Sequence, residues 1–247
     1  MTDPAGSLLF AQYAYPPNAL GLCGADRPRA LLEYGAARED DGGLAELARS
    51  FDGAWPYLAL IAHANRIEDP LDPRVVEAYW VGNGLLDAVR GSDLAAHLDE
   101  RFGARLGSGR ERLHGVLGAV PHHCFHVFVV YPWVGLLRSG VVDEPLHVLD
   151  RCRIAAALVL SVEPDEATVE LRPLAWNGSQ LALGPLEQRV VRWRDGGLGF
   201  AAPAPGDRVA LHWDFVCDVL SPARERALAT ATARSLHAVN ATGGVPG

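Results

Sequence analysis

Residues 152–171, CRIAAALVLSVEPDEATVEL, and residues 205–228, PGDRVALHWDFVCDVLSPARERAL, are the stretches on which the fold turns. Runs of Val, Leu and Thr are interrupted at Glu163-Pro164-Asp165, and between the two stretches come Asn177-Gly178, Leu183-Gly184-Pro185 and Asp195-Gly196-Gly197. Short strands punctuated by such turn residues predict a small antiparallel β-barrel of OB-like form. Ser221 then stands as an N-cap before an Ala- and Leu-rich segment, predicting a C-terminal helix over 222–239.

Upstream of residue 147 the texture changes to helical. Pro28 near a first turn predicts a helix over 28–37, and a second is expected over 43–51. Apolar residues at 55, 58, 61 and 62 give one buried face to a helix over 55–65. Asp72-Pro73 reads as an N-cap and first helical position before a long helix reaching Val89, and Ser92-Asp93 starts another ending near Phe102. Near the N-terminus, the restriction that Pro16 places on Tyr15 ends the first helix there. The turn that follows draws Tyr13, Tyr15, Asn18 and Cys23 together, either as a pocket edge with a candidate thiolate or as a tight turn around a buried thiol. The glycine-rich stretch 107–112 reads as a flexible loop. The expected class is therefore α+β: an all-α helical domain over 1–146, then the barrel and its helix over 147–247.

Residues 120–137, VPHHCFHVFVVYPWVGLL, hold the densest set of metal-ligand residue types in the helical half. On a strand, His122, Cys124 and His126 share a face; on a helix begun at Pro121, His122 and His126 lie one turn apart. Imidazole and thiolate suit iron, nickel or zinc. Cys23, Glu33 and Glu77 are the candidate completions, and the bland alternative is a buried apolar segment whose histidines bond to backbone carbonyls. His63, His97, His114, His147 and His237 have nothing nearby in sequence to raise them above ordinary histidines.

Composition limits the partners. In 247 residues, hydrophobic types make up 49% and charged types 21%, enough apolar material for a core. The formal charge is −8 and all 22 basic residues are arginine, a balance that argues against nucleic acid or an anionic membrane as main partner. No apolar run reaches the roughly 18 residues of a spanning helix, and the N-terminus has no positive stretch leading an apolar one. Four cysteines at 23, 124, 152 and 217 form no CxxC pair, which fits free thiols in a reducing cytoplasm. P-loop, dinucleotide, zinc-peptidase and serine-hydrolase motifs are absent from the sequence.

The order of cysteine, small barrel, Gly-Asp-x-Val-x-x-His with an aromatic three residues on, then helix, resembles the HypC/HupF-type hydrogenase maturation chaperones. Cys152, Val159, Val162 and Glu163 fall in step with that family's opening, and Gly206, Asp207, Val209, Leu211, His212 and Phe215 with its second motif. Ala156 and Ala157 replace its Pro-Gly, Asp214 replaces a glycine, and the family's cysteine follows the initiator methionine whereas Cys152 follows 151 residues. The resemblance implies an auxiliary of nickel–iron hydrogenase assembly. Cys152 would ligate iron, as an iron–cyanide–carbonyl unit, with His212 beside it. A HypD-type scaffold protein and the hydrogenase large subunit would be the partners. Two other readings stand next to it: a non-haem iron enzyme whose metal sits on His122 and His126, and a metal-free protein-interaction module.

Overall fold

A computed structural model describes residues 5–106 and 119–241. The stretch 107–112, His114 and the tail from 242 lie outside the described residues. The chain is mixed α+β, with helices first, a mostly antiparallel sheet of five strands, and a C-terminal helix.

Helix α1 (Gly6–Ala19) is the element around which the helical part packs. Residues 6–18 are all buried, as expected of a helix apolar on every side, and it touches α2 (Pro28–Ala37), α3 (Gly43–Arg49), α5 (Pro73–Trp80) and two strands. The expected stop at Tyr15 is wrong: α1 runs through Pro16 and Pro17. Proline removes the amide that would bond four residues back, so Pro17 leaves the Tyr13 carbonyl without its helical donor. That carbonyl is taken up elsewhere, by His212.

Helix α4 (Trp55–Ala64) follows the sequence reading closely. The helix expected to reach Val89 instead ends at Trp80, with Gly82 at φ 100° and a separate 3-10 turn at Gly84–Ala88. Gly82 breaks the apolar periodicity because its backbone takes a left-handed conformation that no helix interior uses. Asp72 caps α5 as expected, accepting from the Arg74 amide at 2.9 Å. Helix α6 (Gly91–Leu106) follows.

The His-rich segment is helical. His122 is extended and caps a short turn α7 (His123–Phe125), which widens into a π-helix at His126–Val130. Helices α8 (Trp133–Arg138) and α9 (Asp143–Cys152) lead into the strands, so residue 147 lies within a helix and Cys152 closes it.

Strands β1 (Ala155–Val162), β2 (Glu166–Leu171), β5 (Glu187–Arg192), β7 (Phe215–Val219) and β6 (Arg208–His212) pair in that order, and β6 pairs back with β1. All pairings are antiparallel except the β5–β7 contact at Arg192 and Phe215. Strands β3 (Leu174–Trp176) and β4 (Leu181–Leu183) form a separate hairpin. Helix α10 (Pro222–Ala241) follows, its first turn met by the Ser221 hydroxyl.

Period-two alternation sorts the sheet. Ala155, Ala157, Val159, Val169, Val209 and Leu211 belong to one apolar cluster within the sheet. Ala210, Phe215 and Cys217 belong to another, shared with α1, α4 and α5. The core is thus continuous across residue 147, and His212, two residues after Ala210, points toward the helices.

Candidate metal centre

Three stretches far apart in sequence converge where β6, the end of α9 and the start of α7 meet. His123, Cys152 and His212 each offer a ligand-type atom, all within 4.8 Å of one another; among the described residues they are the one His/Cys/carboxylate group of this kind. The cluster is buried, although Cys152 as a residue keeps partial exposure.

His212 ends β6, immediately before a two-residue turn in which Trp213 and Asp214 both take positive φ, 50° and 54°. A tight hairpin of this hand needs two such residues and favours Asn or Gly. Here tryptophan and aspartate are held there by α9: the Trp213 amide donates to the Arg151 carbonyl at 2.8 Å, and the Arg151 guanidinium pairs with Asp214 at 2.7 Å. The turn is thereby clamped against the residue preceding Cys152. Strained backbone held by surrounding contacts is a common feature of functional sites.

The His212 ring is oriented from α1. Its Nδ1 lies 2.7 Å from the Tyr13 carbonyl, which can only accept, so Nδ1 carries the proton and Nε2 presents a lone pair. Nε2 is buried with no hydrogen-bond partner. A ring nitrogen fixed to a backbone carbonyl with the other left bare is the arrangement that metal-ligating histidines adopt. Burial pushes the His212 pKa down to about 4, against the Tyr13 and Cys152 carbonyls, which raise it.

His123 sits between two oxygens. Its Nε2 is 2.8 Å from the Cys152 carbonyl and its Nδ1 is 3.1 Å from the Tyr79 hydroxyl, which also donates to the Gly53 carbonyl at 2.7 Å. These three contacts require three hydrogens, while a neutral imidazole and a hydroxyl supply two. Protonating the ring would close the deficit, but burial, with His212 next, holds its pKa well below the ordinary value. A metal ion on Nε2 would take the place of the contact to the Cys152 carbonyl and leave the ring's one proton on Nδ1, to donate to the Tyr79 hydroxyl.

Burial pushes the Cys152 thiol well up; Cys23 and Cys124 add to the rise, while the Trp213 indole works against it. Sulfur therefore becomes thiolate there only when a cation takes the proton's place. Trp80 packs over both imidazoles, with ring centroids 4.7 Å from His123 and 5.7 Å from His212, and stacks on Tyr13 at 5.6 Å. Two imidazoles and a thiolate enclosed by aromatic rings suit iron, zinc and copper.

The remaining sequence candidates lie elsewhere. His122 Nδ1 accepts from the Cys124 amide at 3.1 Å, making it a helix cap, and burial pushes its pKa down to about 3. His126 Nδ1 meets the Tyr57 hydroxyl at 3.0 Å, and its ring packs on Tyr131. Cys124 points its buried sulfur toward the Ile154 carbonyl and the Thr232 hydroxyl, at 3.8 and 3.9 Å. Cys23 lies close enough for its charge to act on Cys152, and burial pushes its thiol up to about 12. The pair Cys152 and His212 is brought together. His123 joins them although the alternation argument had put it on the opposite side from His122, Cys124 and His126. Reading His122 as a cap would have made His123 the first helical residue; nothing in the local sequence directs it to Cys152.

The fold and this cluster define an α+β protein with a buried His-Cys-His group able to hold a metal ion. The chain belongs to a family of unknown function (DUF6390), whose sequence model matches residues 2–245. No curated protein and no solved structure matches it. Among the described residues no helix is long and apolar enough to cross a membrane.

Proposed function

We propose that this protein is an auxiliary of nickel–iron hydrogenase maturation that carries iron on Cys152, His212 and His123. The observation that carries the reading is the meeting of Cys152 and His212, 60 residues apart in sequence, in one buried cluster with a third ligand-type atom within 4.8 Å. These are the two residues that the HypC/HupF-type resemblance singles out. In this reading residues 147–247 form the OB-like barrel that presents the site, and the helical residues 1–146 shield it and receive the partner.

The chain's own groups do the holding. Cys152 gives up its proton as iron binds. His212 keeps its proton on Nδ1 through the Tyr13 carbonyl and offers Nε2. The Arg151–Asp214 pair keeps the turn from drifting off the sulfur. The iron is cargo: while held, it would take its cyanide and carbon monoxide ligands and pass, with a HypD-type scaffold protein, to the hydrogenase large subunit.

The test is iron analysis and infrared spectroscopy on protein purified without oxygen, for the wild type and for Cys152→Ala, His212→Ala and His126→Ala. Stoichiometric iron with cyanide and carbonyl bands, lost in the first two variants and kept in His126→Ala, is the expected result. Iron without bands that survives Cys152→Ala but not His126→Ala would move the function to an iron enzyme. Another metal on the same three residues would keep the centre and reject the maturation role, and no metal in any preparation would reject both.

A further inference from the structure

A continuous row of aromatic rings leads from the cluster toward the surface. Trp80 packs on both imidazoles, and Tyr79 meets Trp80 edge-on with ring centroids 4.7 Å apart. Tyr79 stacks on Tyr57 at 5.6 Å, Tyr57 meets His126 at 5.3 Å, and His126 meets Tyr131 at 4.7 Å. These separations are those of rings in contact. Tyr57 and Tyr79 are wholly buried, whereas Tyr131 is partly exposed.

The proton positions single out one member of the row. An oxidised phenol is a strong acid, and it persists as a neutral radical only where a base takes its proton. Trp80 Nε1 is buried without a partner, and Tyr79 faces the Gly53 carbonyl and His123 Nδ1, which keeps its proton once a metal sits on Nε2. The Tyr57 hydroxyl, by contrast, lies 3.0 Å from His126 Nδ1, within reach for proton transfer. His126 opens the π-helix, a rare form that recurs at functional sites. Gly53 leaves room for it: a Cβ there would stand 3.2 Å from His126 Nε2 and 3.7 Å from the Tyr131 hydroxyl.

We infer that Trp80, Tyr79, Tyr57 and Tyr131 form a one-electron relay that drains oxidising equivalents from the His123, Cys152 and His212 centre, with Tyr57 and His126 as the pair on which the radical rests. At its inner end the inference rests on the iron reading above. When hydrogen peroxide reaches the ferrous centre, one electron comes from the iron and one from Tyr57. The Tyr57 proton moves to His126 Nδ1, and two protons from solvent turn the peroxide into two waters. A one-electron reductant at Tyr131 then returns the electron, His126 returns the proton, and the Cys152 sulfur is spared oxidation.

Flash oxidation of the full metal-free chain tests the relay, with tris(bipyridine)ruthenium(II) as sensitiser, a cobalt(III) ammine as electron acceptor, and optical and electron paramagnetic resonance detection. A neutral tyrosyl radical is expected that outlives the residual signal in Tyr57→Phe and in His126→Leu at least about tenfold. Tyr131→Phe should slow its formation, and Tyr15→Phe should leave it unchanged. A long-lived radical that survives Tyr57→Phe overturns the inference, as does one lost in Tyr15→Phe, whose hydroxyl meets Asp195 instead. So does the absence of any long-lived radical. In protein loaded with ferrous iron, hydrogen peroxide should raise the same signal; bound iron that gives none breaks the link to the centre. Failure of iron to bind would reject the iron reading and leave the flash result to judge the relay.

Discussion

Replacing Asp150 by asparagine probes the support beneath Cys152. Asp150 lies two residues before the cysteine and is the buried centre of a four-way junction. Its Oδ1 accepts from Arg153 Nε and Nη2, both at 3.2 Å, and from the Leu174 amide at 2.8 Å; its Oδ2 accepts from Arg189 at 2.7 Å. The side chains of Asp150, Arg153 and Arg189 are 8%, 4% and 11% exposed, so water does little to screen them. Asparagine keeps the shape and the acceptor for Leu174 but removes the charge and turns an amide donor toward a guanidinium. Breaking a buried pair from one side costs about 3–5 kcal/mol. The lower end applies, because Arg189 keeps Glu187 and Asp214, and Arg153 keeps the Arg172 carbonyl. A loss of about 3 kcal/mol should move the urea midpoint down by about 1–2 M, given the usual slope for a chain of this size. Burial raises the Asp150 carboxyl, but Arg153, Arg189 and the Leu174 amide outweigh it and leave the pKa lowered. A carboxyl lowered in the folded state stabilises above its unfolded value and loses that contribution only as pH falls through the folded one. The gap between wild type and variant should therefore stay flat from about pH 8 to pH 5. A loss below about 1 kcal/mol would show that the two arginines are satisfied without Asp150 and refute the reasoning.

Two further outcomes follow from the same packing. In Gly6→Ala the new Cβ would stand 1.7 Å from the Leu71 carbonyl oxygen and 2.8 Å from the Pro73 nitrogen, both backbone atoms; a loss of about 3 kcal/mol in urea unfolding is expected, and one below about 1 would contradict the close approach of α1 to this loop. His122, His123 and His212 all have pKa values lowered by burial, so the unfolded chain binds protons more readily and stability falls as pH drops below the unfolded value of about 6.5. Together the three should remove about 5 kcal/mol from the metal-free protein between pH 7 and pH 5, and a urea midpoint unchanged over that range would mean that the rings are not held neutral.

The short strands were legible because turn residues are a local signal. The turn residues set the short strands apart, but residues 154–160 are apolar at every position and 209–211 likewise, so only the packing shows that 155, 157, 159, 209 and 211 share one face and His212 the other. The Asp72 cap was equally legible, since the capping side chain lies next to the amide it serves. His123 was not, because the fourth-residue and second-residue rules compare neighbours on one element, whereas the site is assembled from α7, α9 and β6. Its partner atoms, the Cys152 carbonyl and the Tyr79 hydroxyl, are 29 and 44 residues away. The end of α5 was misread for a different reason: apolar spacing continues through Gly82, and only the left-handed backbone there reveals the break.

The Pro16-Pro17 pair shows how a local rule can fail for a reason that bears on the site. Taken alone, Pro16 should exclude Tyr15 from a helix, yet burial of α1 on every side outweighs a preference of a few kcal/mol. What the pair removes is the donor to the Tyr13 carbonyl, and an unpaired buried carbonyl costs about 1–3 kcal/mol. His212 Nδ1 closes that deficit at 2.7 Å. The irregularity in the first helix thus fixes the tautomer of a histidine 199 residues later, and with it the nitrogen that faces Cys152. The same residue carries its ring onto Trp80, which packs against both imidazoles of the cluster. Because Pro17 is the residue that strips the Tyr13 carbonyl of its helical donor, the oddest feature of the opening sequence also orients one corner of the candidate centre.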